Sequence, residues 1–389
     1  MHIAIVTNRL IVGEGQGRVN VELARAAARA GHVVTCLAHR VDNELLMEPN
    51  VEWVSLPDAN APVALIGNQR FAWASTSWLK QYGETVDLVV GNGFNTWAPT
   101  DINVVHFVHG AWRTSAVHDA RLRRDAYGAY QWLYSTLNAR LEQIALRRAR
   151  HVVAVSEKVR EELLTIGVPA SSMSVIHNGV DINEFRPGPK GRSAIGLPSG
   201  PLALFAGDIR TPRKGIDTVL QALQHVPELH LAVAGDLTNS PYPALAEDLG
   251  VSNRTHFLGF RRDVPQLMQA ADFFVLPSRY EACSLVLLEA MSTGLPLVTA
   301  RTAGGAELIS EDAGIVLDNP NDVNALATAL DRLVVETTRS EKMGRAARQI
   351  AEHHSWEHMA HRYLELFDHL ISQKSIAHPP MPDRASLPV

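Results

Sequence analysis

The sequence predicts an α/β protein with two parallel-sheet domains, and three observations lead to this expectation. Short apolar, partly β-branched segments alternate with amphipathic helical segments, which is the pattern of βαβ units. A stretch rich in proline and glycine, residues 183–201, interrupts the alternation near the middle of the chain and predicts a linker. The alternation then resumes, and 389 residues suffice for two domains of ordinary size.

The first half, residues 1–182, is predicted to form the N-terminal domain. A strand at 3–7, a glycine-rich loop at 13–17, a helix at 19–30 and a strand at 33–38 make up its first βαβ unit. The remaining predicted elements are strands at 86–90, 103–108 and 152–155 and helices at about 119–149 and 157–165. Residues 58–80 are assigned to neither type and are expected to be irregular.

The second half, residues 202–355, repeats the alternation more clearly. Predicted strands lie at 202–206, 229–234, 256–258, 273–276, 297–300 and 315–317. The chain is then expected to be helical from about 322 to 371. The final residues, 373–389, contain several prolines and show no periodicity, so we expect them to be disordered.

The composition excludes several classes of protein. With a formal net charge of −5, the chain as a whole lacks the excess of basic residues that is typical of nucleic-acid-binding proteins. The two cysteines, Cys36 and Cys283, both fall in strand or strand-end context, which argues against a disulfide framework and favours a reducing compartment. The N-terminus reads as a strand rather than a signal peptide, and the sequence lacks an apolar run long enough to cross a bilayer. We therefore expect a cytoplasmic protein.

The most informative motif contains two carboxylates eight positions apart, Glu281 and Glu289. Glu281 follows the predicted strand 273–276, and Glu289 lies in a helix predicted from Ser284 to Ser292. Ligands of open α/β sheets bind at this carboxyl edge of the strands. Eight helical residues span about 12 Å, which suits the two ends of an extended ligand better than a pair acting on one bond.

The motif resembles the retaining glycosyltransferases of family 4. The resemblance rests on Glu-x7-Glu after a strand and Pro277-Ser278, followed by Gly294-Leu295-Pro296 and Gly304-Gly305-Ala306-Glu307, and it extends from residue 1 to about residue 365. It implies the GT-B fold: two Rossmann-like parallel-sheet domains, a cleft between them, and a C-terminal helix at about 356–372 that crosses back to the first domain. It also implies that Glu289 binds the donor ribose and that Glu281 acts near the transferred sugar. The backbone amides of Cys283, Ser284 and Leu285 would reach the sugar or phosphate, although Ser284 could equally be only a helix cap.

A cationic segment follows the first strand of the second half. Arg210, Arg213 and Lys214 lie within five residues ahead of a predicted helix, where they could meet the charge of a diphosphate leaving group. In the resemblance, Lys214 matches the family lysine. Asp208 stands where the family usually has arginine, so either Arg210 or Arg213 would supply the second cation.

Two further positions in the first half match the family. Gly15, in the loop 13–17, would approach the donor phosphates, although Glu14 departs from the usual glycine. His109 matches a histidine that contacts the donor sugar and would act in catalysis; His106 is the alternative, and both could be ordinary loop histidines.

The resemblance implies a retaining, metal-independent hexosyltransferase. It would move a sugar from a nucleotide-diphosphate donor (GDP-, UDP- or similar) to a hydroxyl of a glycan or lipid-linked saccharide in a cell-surface or exopolysaccharide pathway. No cofactor is expected, and the histidines near the C-terminus lack the repeated spacing of a metal site. Two alternatives stay open: a nucleotide-sugar epimerase or hydrolase, and a catalytically degenerate sugar-nucleotide-binding subunit.

The region 121–150 is rich in arginine and aromatic residues and has two interpretations. It could contact an anionic membrane, which would place the protein peripherally on the inner face. We favour a helix pair with a solvated basic face and a buried aromatic face.

Overall fold

The computed structural model describes residues 1–60 and 63–377. The strands are β1 His2–Val6, β2 Arg9–Leu10, β3 Val33–Ala38, β4 Arg40–Val41, β5 Val51–Ser55, β6 Leu88–Asn92, β7 Ile102–Val105, β8 His151–Ala154, β9 Met173–Val175, β10 Leu202–Ala206, β11 His230–Ala234, β12 Thr255–Gly259, β13 Phe273–Leu276, β14 Leu297–Ala300 and β15 Gly314–Leu317. The helices are α1 Gly15–Arg29, α2 Asn43–Leu46, α3 Ala64–Tyr82, α4 His109–Thr114, α5 Asp119–Leu122, α6 Ala126–Arg148, α7 Glu157–Thr165, α8 Ile216–Leu223, α9 Tyr242–Asp248, α10 Val264–Ala270, α11 Leu285–Thr293, α12 Val323–Val335, α13 Thr337–Glu352 and α14 Trp356–Ala377.

Two large sheets organise the described chain. The first has the strand order β5-β3-β1-β6-β7-β8-β9, and the second has the order β12-β11-β10-β13-β14-β15. The strands pair in parallel throughout the second sheet and from β5 to β7 in the first. These two doubly wound sheets confirm the predicted α/β class. The strand order reverses between β1 and β6 in the first sheet and between β10 and β13 in the second. Folds of this kind bind ligands at such a switch point.

The central strands of the second sheet are fully buried because helices cover parallel sheets on both faces. All residues of β10 and of β13 are buried, and β13 is the continuous apolar run Phe273-Phe274-Val275-Leu276. Helix α11 stops at Gly294, whose φ of 80° is a left-handed conformation that glycine adopts without strain. These elements place the Glu281 loop at the carboxyl edge of the sheet.

Several elements differ from the sequence prediction. Residues 64–82, expected to be irregular, form the long helix α3. The helix predicted at 119–149 is broken at 123–125 into α5 and α6, and α1 begins at Gly15, within the predicted loop. The last helix continues to Ala377, so the beginning of the predicted tail is helical; residues 378–389 lie outside the described residues.

Backbone proximity divides the chain into two compact units. The first comprises Met1–Val104, Ile144–Val152 and residues 359–377, and the second comprises Val105–Gln143 and Val153–His358. Most of α14 therefore belongs to the first unit. Within that unit the Arg150 guanidinium donates to the Leu370 carbonyl at 3.0 Å, and Lys374 pairs with Asp101 at 2.9 Å. The predicted boundaries at 182 and 202 stay predictions.

Candidate active site

Two cations of the second unit converge on one carboxylate. The Lys214 ammonium contacts Oε2 of Glu281, and Nη1 of Arg213 lies 3.1 Å from the same oxygen. The Lys214 and Glu281 side chains are only 10% and 16% exposed, so the contact is largely shielded from water. Burial alone would raise the pKa of Glu281, but Lys214 and Arg213 outweigh burial and hold the pKa below its ordinary value. The carboxylate is therefore ionised at neutral pH.

Glycines bring the cationic turn to this position. Gly215 ends the turn with φ of 77°, and a Cβ atom there would lie 2.2 Å from the Pro277 carbonyl oxygen. Gly207, directly after β10, lies beside the aliphatic stem of Lys214, and an added Cβ would stand 3.4 Å from that stem, at ordinary van der Waals distance. The lysine stem thus crosses the end of β10 towards the loop that follows β13.

The third cation of the segment points elsewhere. Nε of Arg210 donates to Oδ1 of Asp208 at 2.9 Å, and Nη1 lies 3.7 Å from Asp236. The Arg210 side chain is 52% exposed, whereas that of Arg213 is 27% exposed. Burial would raise the pKa of Asp208, but hydrogen bonds from Arg210 lower it below its ordinary value. Of the two arginines that the sequence left open, Arg213 is the one beside Lys214.

A glycine turn fixes the backbone of the Glu281 loop. The Gly304 amide donates to the Glu281 carbonyl at 2.9 Å, and the Ser284 amide donates to the Gly304 carbonyl at 3.0 Å. A Cβ atom on Gly304 would lie 1.7 Å from the Ala282 carbonyl oxygen, so only glycine fits. The Ser156 hydroxyl donates to that same Ala282 oxygen at 2.6 Å.

The start of α11 carries the remaining residues predicted to bind the donor. Ser284 occupies the N-cap position, but its hydroxyl makes no capping bond; it is buried and has no hydrogen-bond partner among the described residues. The interpretation of Ser284 as only a cap is therefore wrong. Cys283 precedes it, and burial raises the pKa of its thiol to about 12. Leu285 begins the helix, and Glu289 lies half-buried one turn before its end.

The predicted histidine lies in the same compact unit. His109 is the first residue of α4, and its ring packs against Phe107 and Tyr134 with centroids 5.0 and 5.9 Å away. Phe107 also packs edge-on against Tyr280 at 5.6 Å, and Tyr280 immediately precedes Glu281. Burial lowers the pKa of His109, like that of His106, to about 4. His109 is therefore a neutral imidazole at physiological pH.

Sequence reasoning missed a group of polar residues that joins these segments. The Tyr280 hydroxyl lies 3.3 Å from both the Val108 carbonyl oxygen and Oε2 of Glu162. The Lys158 ammonium pairs with Glu162 and sits 4.0 Å from the centroid of the Tyr280 ring. Because Tyr280 directly precedes Glu281 in the sequence, its role in this polar group could have been predicted. Lys158 and Glu162 read simply as charges on an amphipathic helix.

Gly15 belongs to the first compact unit. Glu14 is the extended N-cap residue, Gly15 is the first residue of α1, and Arg9 pairs with the Glu14 carboxylate at 2.7 Å. A Cβ atom on Gly17 would lie 2.6 Å from the Ile11 carbonyl oxygen, so the loop closes tightly on the helix. Gly15 thus lies at a helix N-terminus, with partial positive charge from the helix dipole, and its contact with the donor phosphates stays a prediction.

The aromatic residues near the start of α6 correct one expectation. Leu122, Tyr127, Trp132 and Leu133 are between 46% and 54% exposed, so the predicted buried aromatic face is wrong for this part of the helix. Arg121 and Arg124 are exposed close by in sequence. The break at 123–125 turns the chain between α5 and α6, which ends the single helical periodicity on which the expectation depended.

The described residues contain neither a metal-binding cluster nor a membrane-spanning helix. In residues 1–60 and 63–377, no cluster of three or more histidine, cysteine, aspartate or glutamate side chains is arranged to hold a metal ion. The helices in this part of the chain also lack a segment long and apolar enough to cross a membrane.

Family profiles match both halves of the chain. Residues 13–184 match the profile described as glycosyltransferase family 4, and residues 192–350 match the one described as glycosyl transferases group 1. The chain therefore belongs to the group 1, family 4 glycosyltransferases, which confirms the resemblance found in the sequence.

Individual relatives agree with this assignment. The D-inositol 3-phosphate glycosyltransferase of Mycobacterium tuberculosis is 30% identical over 290 residues, which cover 71% of this chain and 59% of the relative. Sucrose-phosphate synthase from Thermosynechococcus elongatus has a similar fold, with a TM-score of 0.78 at 22% identity over 96% of this chain and 100% of that one. HepE from Anabaena, solved in complex with UDP-glucose, has a TM-score of 0.70 at 21% identity over 95% of this chain and 100% of that one. These two likenesses confirm the GT-B fold.

Proposed function

We propose that this protein is a retaining, metal-independent glycosyltransferase that moves a hexosyl group from a nucleotide-diphosphate sugar to an acceptor hydroxyl. The observation that carries the proposal is the convergence of Lys214 and Arg213 on Glu281 at the carboxyl edge of the second sheet. Two shielded cations at this place are what a diphosphate leaving group requires, because its negative charge grows as the glycosidic bond breaks. The solved complexes of HepE with UDP and UDP-glucose support a nucleotide-sugar donor of this kind.

In the proposed reaction, the bond between the anomeric carbon and the diphosphate oxygen breaks, and its electron pair stays on the diphosphate. Lys214 and Arg213 stabilise that charge. The acceptor oxygen bonds to the anomeric carbon on the same face, and its proton passes to the departing phosphate oxygen. Glu289 binds the ribose hydroxyls, since a carboxylate accepts two hydrogen bonds from a diol. His109 and Glu281 lie near the transferred sugar.

The start of α11 completes the donor site proposed for the second unit. Cys283, Ser284 and Leu285 stand at the N-terminus of this helix, whose dipole favours anionic or polar ligand groups. The Ser284 amide already donates to the Gly304 carbonyl, so Ser284 would reach the donor through its hydroxyl, which has no partner among the described residues. The acceptor is proposed to be a glycan or a lipid-linked saccharide.

Thermal unfolding with UDP, GDP and their sugars tests the donor site, because a ligand that binds only the folded state raises the melting temperature. We expect at least one nucleotide sugar to stabilise the wild type and to stabilise Lys214→Ala much less. Lys342→Ala, at an exposed position of α13, is the matched control and should behave as the wild type. If no nucleotide or nucleotide sugar shifts the transition, the donor site is assigned wrongly.

Product analysis separates transfer from the alternatives. Sugar linked to an added acceptor supports a glycosyltransferase, whereas a changed or released sugar without an acceptor indicates an epimerase or hydrolase. Binding without any turnover over a broad acceptor panel would indicate the degenerate binding subunit.

A second proposal concerns the membrane. The exposed surface Leu122, Tyr127, Trp132 and Leu133, with the neighbouring exposed arginines Arg121 and Arg124, suits peripheral contact with anionic lipid. Co-sedimentation with phosphatidylserine vesicles should exceed that with phosphatidylcholine vesicles and should fall in Trp132→Ala. Val335→Ala, at an apolar side chain that is 70% exposed, is the control and should leave sedimentation unchanged. Equal sedimentation with both lipids would contradict the proposal.

A further inference from the structure

One buried carboxyl group has no part in the reaction proposed above. Glu142 lies in α6 and is 1% exposed. Its Oε1 atom accepts the backbone N–H of His109 at 3.3 Å. Its Oε2 atom is buried and has no hydrogen-bond partner in the described part of the chain. Glutamate is almost never this buried unless it is paired, so the position calls for a role.

The segment that Glu142 holds is short. Helix α4 has six residues, His109–Thr114, which is too few to be stable by itself. Its first amides have no partner within the helix, and Glu142 satisfies that of His109. The position of the His109 backbone therefore depends on a contact from α6 as well as on the helix itself.

The other side of α4 contacts the loop that carries Glu281. Trp112 packs against Tyr280 with centroids 5.0 Å apart, and Phe107 packs against the same ring at 5.6 Å. Helix α4 is thus held between Glu142 on one side and Tyr280 on the other. If the Glu142 contact is lost, the aromatic packing and the bond of the Tyr280 hydroxyl to the Val108 carbonyl remain, but the His109 amide loses its acceptor.

The charged surroundings favour the neutral form of Glu142. Among the described residues, His109 from α4, Glu162 from α7 and Tyr280 from the loop after β13 face it. Lys158 is paired with Glu162, and the Glu162 charge disfavours a second carboxylate nearby. Burial raises the pKa of Glu142 to about 8. The carboxyl group therefore keeps its proton at neutral pH and accepts the His109 amide as a neutral acid.

We propose that Glu142 is a positioning residue, which fixes the His109–Gly110 turn for sugar transfer by accepting a hydrogen bond from the His109 backbone amide. The inference rests on the proposed function, because it assigns His109 to the sugar site. Glu142 itself touches no substrate. A neutral side chain of the same shape can replace it, whereas a side chain without an acceptor oxygen cannot.

Hydrogen–deuterium exchange tests the anchor without reference to activity. Glu142→Ala should speed exchange in the peptide 109–114, and Glu142→Gln should leave it close to wild type, because the amide oxygen still accepts. Glu161→Gln, at an exposed position of α7, is the matched control and should change nothing. Unchanged exchange in Glu142→Ala would overturn the proposal even if the protein proved not to be a glycosyltransferase.

Steady-state kinetics with a nucleotide sugar test the consequence for transfer. Glu142→Ala should lower kcat roughly tenfold to a hundredfold and change the donor KM less than about threefold, because orientation rather than donor contact is lost. Glu142→Gln should keep most of the wild-type kcat, because its amide oxygen still accepts the hydrogen bond. If Glu142→Gln is as damaging as Glu142→Ala, the acceptor role is wrong. If the wild type turns over no nucleotide sugar but the exchange result holds, the proposed function fails and the anchor stands.

Discussion

Replacing Lys214 by alanine removes the most shielded cation of the candidate site. The ammonium is 10% exposed and contacts a carboxylate that is 16% exposed. Loss of a preorganised charge contact to the leaving group costs about 3 kcal/mol in the transition state, which is roughly a hundredfold in kcat. Glu281 keeps Arg213 at 3.1 Å, so it is not left unpaired. We therefore expect a smaller loss of folding stability, about 1 to 3 kcal/mol.

The stability effect depends on pH in a defined direction. Lys214 and Arg213 hold the pKa of Glu281 below its ordinary value of 4.5, so the ion pair contributes stability above that value and loses it as the pH falls. Without Lys214 the pKa of Glu281 rises, and part of this contribution is absent at every pH above it. Urea unfolding at pH 7 and pH 4 should therefore show a larger difference between wild type and Lys214→Ala at pH 7.

A double-mutant cycle with Glu281→Gln identifies the partner. The two residues touch, so their effects on stability should couple by about 1 to 3 kcal/mol. Wild-type turnover in Lys214→Ala would refute the leaving-group role. Additive stability effects would refute the ion-pair argument. Lys342→Ala, which removes an exposed lysine, should leave both turnover and stability unchanged.

Other substitutions test separate parts of the site. Arg213→Ala should lower kcat about tenfold or more, whereas Arg210→Ala should change it little, because only Arg213 lies beside Lys214 and Glu281; equal effects in steady-state assays would contradict this. Glu142→Gln should be more stable than wild type, and the difference should grow as the pH rises from about 4.5, levelling off above about 8 at a few kcal/mol. The reason is that folded wild type must hold a proton on Glu142 that the unfolded chain releases. A difference in the free energy of unfolding that does not change with pH, measured by urea unfolding, would contradict this prediction. Gly304→Ala should destabilise the fold by about 3 kcal/mol or more because its Cβ would lie 1.7 Å from the Ala282 oxygen, and an unchanged melting temperature would show that the loop adapts. Transfer should survive EDTA with retention of the anomeric configuration, and an inverted product by NMR would contradict the mechanism.

The sequence predicted elements whose local pattern agrees with their surroundings. Strand β13 is a continuous apolar run, and α11 ends at Gly294 in a left-handed conformation, so both bounds were close to those observed. Helix α3 was missed because it starts without a side-chain cap and mixes tryptophan, serine and threonine on a face that only tertiary packing makes helical.

The residues of the candidate site likewise divide into those that the sequence predicted and those that it did not. Lys214 and Glu281 were each placed at the donor from their motifs, but their direct contact was not predicted, because it depends on β10 and β13 being neighbours in the sheet. The choice of Arg213 over Arg210 could not be made, because it depends on Asp208 and Asp236 capturing the Arg210 side chain. Glu142 gave no signal, because a glutamate in a helix is expected to face water and only the tertiary fold buries it.

The pairing of Glu281 with Lys214 and Arg213 has a consequence for how the catalytic cycle ends. The Glu281 carboxylate competes with a diphosphate for the same two cations. It therefore lowers the affinity of the site for substrate nucleotide, product nucleotide and free phosphate alike. When a product nucleotide leaves, Lys214 and Arg213 pair again with Glu281, so neither cation is left unpaired in a shielded site. Competition of this kind speeds product release. Product release is the slowest step in many well-evolved enzymes. Glu281→Gln should therefore bind the free nucleotide more tightly than the wild type while turning over more slowly.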